Sequence, residues 1–248
     1  MSLWTLSLTL AFVVAAMLVS LWQRLGLEKD MLVATVRATV QLLLIGYILK
    51  FVFHVGNLAL TAAMVAVMTC VAADNAGRRG RGLAGRFWRP FVAIAATEVL
   101  TQGFLLAGHV IPVRPSYIIP ISGMIVGNSM VACGLFLNRL RDETQARSAE
   151  VWTLLALGAN PKQASRAVVK AATKASMIPT IDSAKTMGLV QLPGMMTGQI
   201  IAGADPIQAV RYQLLIVFAI MASAAITSIV LGLLTYPRLF NRFWQLLV

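Results

Sequence analysis

The chain has 248 residues, of which 58% are hydrophobic and only 12% charged, against about 25% charged in an ordinary soluble domain. Such a chain cannot wet the surface of a soluble globule this large. The formal net charge of +12 raises nucleic acid as a partner, but Lys and Arg gather in alternate gaps between apolar runs, which is the positive-inside pattern of a membrane protein.

Seven runs are long enough to cross a bilayer as helices. They fall at about 3–22, 31–53, 58–73, 91–108, 117–137, 178–202 and 207–234, the sixth carrying Pro193 and many glycines that leave open whether it is continuous, broken or re-entrant. The first starts almost at Met1, without a basic leader or a small-x-small cleavage site, and reads as a retained span. The second carries Arg37 and Gln41 near its start. The third is short, so an extension past Asp74 or local thinning of the bilayer is expected. The link after it holds Arg78, Arg79, Arg81, Arg86 and Arg89, and Pro90 suits the first turn of the next helix. The links after spans one, three and five, and the tail with Arg238 and Arg242, are basic; those after spans two, four and six are not. The expected fold is therefore all-α and polytopic, one transmembrane domain over 1–248, with the N-terminus outside and the C-terminus cytoplasmic. The aromatic, basic tail reads as an interfacial anchor. Cys70 and Cys133 lie inside apolar runs, so no disulfide framework is indicated.

Residues 139–175 form a polar, basic cytoplasmic linker. A short helix is expected over 150–157, with Trp152, Leu155 and Ala159 on one face. Gly158, Asn160 and Pro161 punctuate it, Asn160 as a cap and Pro161 as a first-turn proline. A second, amphipathic helix runs from Pro161 to about Ala175. Lys162, Arg166, Lys170 and Lys174 recur every four residues, and Ala164, Ala167, Val168 and Ala171 face elsewhere. Two readings stay open. The helix lies on the membrane, held by lipid phosphates, or it docks a cytoplasmic subunit and passes a push into the sixth span.

Ionisable groups inside spans are costly and default to functional candidates. Arg37, Asp182 and Lys185 share a depth, and Asp182 and Lys185, at i and i+3, can pair on one helix face. They form a structural ion cluster with snorkelling side chains, or they gate a path or touch the substrate. Glu98 lies near the bilayer centre, as a cation or proton contact or as a buried protonated acid. His109 sits at the outer end of span four. Gly123 with Gly127, and Gly194 with Gly198, are GxxxG pairs that permit close helix approach. Asn128, Ser129, Thr197 and Gln199 beside them imply a partly polar interior. Met124, Met130, Met195 and Met196 share these segments; thioethers suit soft metals, and equally serve as adaptable packing.

No phosphate-cradling GxxxxGK[ST] is present, nor HExxH, nor paired cysteine ligands, so no catalytic site and no cofactor of its own are expected.

Several stretches resemble one family. IIPISGMIVGNSM (118–130), LGANPKQAS (157–165) and IPTIDSAKTMGLVQLPGMMTGQIIAGADPIQAVRYQ (178–213) are similar to the FetB-like permeases, membrane subunits of an iron-export ATP-binding-cassette transporter. LEKD (27–30), Arg37, Gln41 and GYILK (46–50) extend the likeness towards the N-terminus. The family also resembles plant permease-like proteins tied to aluminium tolerance. The resemblance implies a non-catalytic permease of the bacterial inner membrane, working as a homodimer with two copies of a cytoplasmic ATPase that holds ATP and Mg. Residues 150–174 would contact that ATPase; Glu150 and Gly158 loosely match the glutamate-to-glycine coupling loop of other such permeases, although the Ala pair of that loop is absent. Iron as cargo rests on the resemblance alone. The rival readings are a gradient-driven secondary transporter using Glu98 or Asp182, and a membrane enzyme or assembly factor built on Arg37, Asp182 and Lys185.

Overall fold

The computed structural model describes residues 3–79 and 87–247, with side chains from residue 9 onwards. Arg81 and Arg86 of the third link lie outside the described residues. All regular elements described are helices, apart from two isolated bridges between Met187 and Gln191 and between Phe240 and Leu246. The chain divides into two compact units, Met1–Asn57 and Leu58–Val248.

The first unit is a helical hairpin of α1 (Leu3–Trp22) and α2 (Glu28–Val55). Its turn is tied by the Ser20 hydroxyl, which donates to Glu28 Oε1 at 2.8 Å. Glu28 and Asp30 place negative charge in the first turn of α2, where the helix dipole favours it.

The second unit begins with α3 (Leu58–Arg79), α4 (Trp88–Ala107) and α5 (Pro115–Ala146). α3 extends past Asp74 as expected, and Asp74 takes Arg78 as an ion-pair partner one turn on, at 2.7 Å. α5 has 32 residues, about 48 Å at 1.5 Å per residue. It outruns a hydrocarbon core of about 30 Å, so it carries the chain well beyond the expected end of span five. The stretch expected to be a linker after Arg139 is almost wholly helical. α5 passes straight into α6 (Ser148–Ala156), then α7 (Pro161–Ala164) and α8 (Arg166–Thr186).

The sixth span is not one helix. α8 starts before it and runs through Pro179 to Thr186. Gly188, at φ +85°, then turns the chain, its N–H donating to Gln191 O at 2.9 Å. Pro193 opens the short α9 (Gly194–Ile201). A left-handed residue and an obligate non-donor within six positions end a helix more firmly than the apolar flanks can extend it. α10 (Pro206–Thr235) follows, capped by Asp205, which accepts from the Gln208 N–H at 3.1 Å. Among the described residues, five helices are long and apolar enough to cross a membrane: α2, α3, α4, α5, and α10 with the 3-10 turn (Tyr236–Leu239) that prolongs it. The apolar part of α1 over Thr9–Trp22 is shorter. The expected seven crossings are thus five long apolar helices, with α1 and the broken α8–α9 pair as the remainder.

The core lies where α3, α4, α5, α8 and α10 meet. Ala73, Ala93, Ile94, Cys133, Phe136, Leu140, Ala172 and Leu231 are at most 1% exposed. Four of these eight are alanine or cysteine, small enough to let membrane helices approach for close van der Waals contact. The tail is not only an anchor. Leu239, Phe240 and Leu246 are buried in the same core, and Asn241 closes the turn between them by accepting from the Phe243 and Gln245 N–H groups, each at 2.9 Å. Phe243 and Trp244 stay exposed.

Candidate functional site

Three features of the second unit gather the polar groups. The first is the elbow between α5 and α8. Its helix end is a Schellman motif: the Ala159 N–H donates to Leu154 O and the Gly158 N–H to Leu155 O, both at 3.0 Å. Gly158 has φ +89°, the left-handed conformation the motif requires. Two residues later Asn160 caps α7 in a full capping box. Its Oδ1 accepts from the Gln163 N–H at 2.9 Å, and its own N–H donates to Gln163 Oε1 at 3.0 Å. The roles expected for Gly158, Asn160 and Pro161 are therefore met. The expected face of α6 is divided between core and surface. Val151 is buried and Leu154 and Leu155 pack on the core, while Trp152 is 44% and Leu157 80% exposed. Ala159 lies beyond the helix.

Ionic contacts fasten the elbow to α5. Glu143, largely buried, takes Arg139 at 2.6 Å and Arg147 at 2.8 Å; Arg147 also reaches Glu150 at 3.5 Å. α8 buries Ala164's successors Val168, Ala172 and Ser176, one every four residues, against protein. Its apolar stripe is thus not spread on a membrane surface. Lys162, Arg166, Lys170 and Lys174 are exposed on the other side. Lys162, Arg166 and Lys170 rim a groove of about 280 Å³ over Val169 and Gly232.

The second feature is a cleft of about 240 Å³ between α5, α8 and α10. Asn128 crosses its floor. The Asn128 amide donates to Ile220 O and to Ser223 Oγ, both at 3.2 Å, and Oδ1 accepts from the Thr180 hydroxyl at 3.4 Å. Ser176 joins Ser228 below at 2.8 Å. Met187 and Met221 line it, and the Gln213 amide nitrogen approaches Met187 Sδ at 3.8 Å. Asn128 is thus the candidate that the fold places at a three-helix junction. Asp182 and Lys185 pair with each other at 3.2 Å, with 60% and 69% of their side chains exposed. Arg37 and Gln41 are exposed one turn apart on α2 of the first unit. Met195 and Met196 are half-buried on α9 and do not line the cleft.

The third feature surrounds Glu98. A cleft of about 570 Å³ between α3, α4 and α5 is lined by Thr61, Thr69, Glu98, Gln102 and Ser122 among apolar side chains. Glu98 and Gln102 are 6% and 7% exposed and Ser122 is fully buried. Glu98 neighbours Ser122, yet no hydrogen bond of good geometry reaches either carboxylate oxygen, either Gln102 amide atom or the Ser122 hydroxyl. Sequence reasoning named Glu98 but missed Gln102 and Ser122. Gln102 lies at i+4 from Glu98, a spacing that puts both on one helix face; Ser122 carried no such signal. No group of three or more His, Cys, Asp or Glu gathers for a metal among the described residues.

Within this chain, one of the four glycines expected at close seams meets a neighbour. A Cβ on Gly123 would sit 3.1 Å from the Met68 methyl, but Gly127, Gly194 and Gly198 have nothing within 4 Å. Close approach occurs instead at Gly134, where a Cβ would meet Arg79 Cδ at 2.8 Å, and at Gly232, 3.1 Å from Val169.

Comparison with known proteins places the chain. The profile of the uncharacterised protein family UPF0014 matches residues 3–240. The UPF0014 membrane protein YjkA of Bacillus subtilis is 54% identical over 98% of this chain and 97% of its own. The Escherichia coli protein named probable iron export permease protein FetB is 42% identical over 98% of this chain and 94% of its own. Protein ALUMINUM SENSITIVE 3 of Arabidopsis thaliana is 37% identical over 96% of this chain and 87% of its own. No solved structure matches. With the match spanning nearly the whole chain and five apolar helices of crossing length beneath it, the protein belongs to the UPF0014 family of membrane proteins.

Proposed function

We propose that this chain is the membrane permease subunit of an ATP-binding-cassette transporter that exports iron or another metal ion. In this reading it catalyses nothing itself. It pairs with a second copy in the bacterial inner membrane, and a separate cytoplasmic subunit binds Mg and hydrolyses ATP. The name of the Escherichia coli relative supports the cargo and the direction.

The observation that carries the coupling half is the mechanical continuity of the elbow. Exposed Trp152 and Leu157 flank a helix end locked by Gly158. The Asn160-capped α7 follows, and α8 then runs unbroken from Arg166 to Thr180, whose hydroxyl meets Asn128. A force applied near Trp152 would pass through α6, the locked turn and α7 into α8, and from Thr180 to Asn128 at the cleft. An apolar patch with a basic rim suits a protein partner that offers a groove with acidic edges.

Cysteine crosslinking from Trp152 to Arg166, in cells that also express a candidate ATPase subunit, tests the docking. Crosslinks at Trp152, Leu157 and Lys162 to the ATPase are expected. Labelling by lipid probes alone, with none to any protein, would remove the coupling role. Vesicles holding both subunits, loaded with a panel of metals, test the cargo.

The unpartnered Glu98 carboxylate favours one rival, a gradient-driven transporter. That rival requires transport by the chain alone and its loss in Glu98→Gln. Asp182 offers it little, being exposed and already paired with Lys185.

A further inference from the structure

We propose that Glu98, Gln102 and Ser122 form a binding site for a hard, partly dehydrated cation at the junction of α3, α4 and α5. The inference rests on reading the chain as a transport protein and is independent of any ATPase.

The argument starts from unmet hydrogen-bonding capacity. Five buried polar atoms line this cleft without a hydrogen bond of good geometry: both Glu98 oxygens, both Gln102 amide atoms and the Ser122 oxygen, although Ser122 lies beside the Glu98 carboxylate. Buried polar groups in folded proteins are nearly always satisfied, by protein, water or an ion. An ionised carboxylate inside a bilayer protein, with neither Lys nor Arg beside it, calls for a compensating charge. The described ion pairs leave Glu98 without one. A proton on Glu98 would supply one donor, and it would still leave most of the five atoms unmet. A cation answers the acceptor oxygens together.

The donor chemistry selects the class. Carboxylate, amide carbonyl and hydroxyl oxygens are hard ligands that suit Mg, Ca or Mn ions and alkali ions, rather than soft metals. Thr69 adds to the set. Its hydroxyl proton is committed to Val65 O at 2.9 Å, so its oxygen faces the cleft as an acceptor only. The spacing is suited to this. Glu98 and Gln102 stand one turn apart on α4, and Ser122 approaches from α5. The thioether-rich region of α9 lies elsewhere in the fold, so the methionines are not part of this site.

The test uses the purified full chain in nanodiscs, without ATP or any partner. Mn²⁺ is added, free Mn²⁺ is read by electron paramagnetic resonance, and carboxylate bands are read by infrared difference spectroscopy. Saturable uptake is expected, with a shift of a carboxylate band that disappears in Glu98→Gln. Gln102→Leu and Ser122→Ala are expected to weaken uptake roughly 10- to 100-fold, the scale for groups that support a metal site. Na⁺ in excess should compete if the site is open to alkali ions as well. Unchanged uptake in all three variants overturns the proposal. So does a protonated-carboxyl band, lost in Glu98→Gln, that Mn²⁺, Mg²⁺ and Na⁺ all leave in place. If Glu98→Gln fails to fold, the Ser122→Ala titration and the wild-type infrared spectrum still decide. Failure to bind here leaves the coupling elbow standing, and failure of the elbow crosslinks leaves this site standing.

Discussion

The Ser176 hydroxyl of α8 lies 2.8 Å from the Ser228 hydroxyl of α10, fully buried between the two helices. One residue earlier on α10, Thr227 meets Thr97 of α4 at 2.7 Å. Neighbouring positions on a helix point about 100° apart, so two adjacent hydroxyls pin α10 to two different helices. α10 is in this sense the post against which both α4 and α8 are set. Hydrogen bonds between membrane helices contribute about 0.6 kcal/mol on average and up to about 1.7 kcal/mol. A double-mutant cycle on Ser176→Ala and Ser228→Ala, read by reversible unfolding in detergent, is expected to give a coupling energy of that size. A coupling indistinguishable from zero would mean that the hydroxyls pack without bonding.

The glycines separate close contact from open space. Gly134→Val should destabilise the protein by about 1–3 kcal/mol, the usual cost of overpacking, because Arg79 Cδ already occupies the place of the new side chain. The milder Gly134→Ala can be absorbed by a swing of the long Arg79 side chain. Gly194→Ala and Gly198→Ala, with nothing within 4 Å, should leave the unfolding midpoint of the isolated chain unchanged. If these two substitutions disrupt a crosslinked dimer while sparing the monomer, the α9 face belongs to the contact between copies.

Much of this arrangement could be read from residue order, and the exceptions have physical causes. The Asn160 cap and the Gly158 stop are local, set by backbone chemistry within four residues, and they were legible. The far ends of α5 and α8 were not, because both helices continue through polar sequence beyond their apolar runs. The placement of Asn128 in a polar interior was legible because an amide within an apolar run must find partners. The break at Gly188 and Pro193 was harder: hydropathy is averaged over a window that a single left-handed residue barely changes. Gly134 and Gly232 were invisible as contact points because their neighbours, Arg79 and Val169, come from distant helices. The GxxxG pairs drew attention instead, and spacing alone does not say whether a face meets anything. Which side of α6 would meet the core was not legible, because helix period fixes the spacing of a stripe but not its phase when both sides are apolar.

Two helix ends share one motif and carry opposite predictions. At the end of α4 the Val110 N–H donates to Leu105 O at 3.0 Å and the His109 N–H to Leu106 O at 3.1 Å, which leaves His109 at φ +53°. This is the Schellman geometry of Gly158 with a side chain where glycine is preferred. The left-handed conformation costs an ordinary residue about 1 kcal/mol. His109→Gly, at an exposed position, should therefore raise stability by up to about 1 kcal/mol, while Gly158→Ala should lower it by a similar amount. Thermal unfolding of the two variants side by side checks the signs. A loss of stability in His109→Gly would show that the imidazole makes a contact worth more than the strain.

In the proposed transporter, Asn128 would carry motion of the elbow into the cleft. From α5 its side chain touches both α8 and α10, through Thr180, Ile220 and Ser223. Asn128→Leu keeps the branching of the side chain and removes all three bonds, so α8 loses its polar tie to α5 while the Ser176–Ser228 contact still holds it to α10. The elbow itself, some 30 residues away in sequence and fastened by Glu143 to Arg139 and Arg147, would be untouched. Crosslinking from Trp152 to the ATPase should persist in Asn128→Leu, while metal transport by vesicles holding both subunits should fall tenfold or more, equivalent to about 1.4 kcal/mol in the barrier. Thr180→Val removes only the 3.4 Å contact and should have a smaller effect. Transport at the wild-type rate in Asn128→Leu would mean that motion of α8 reaches the path by another route, and the hydrogen-bonded junction would then be a matter of stability alone.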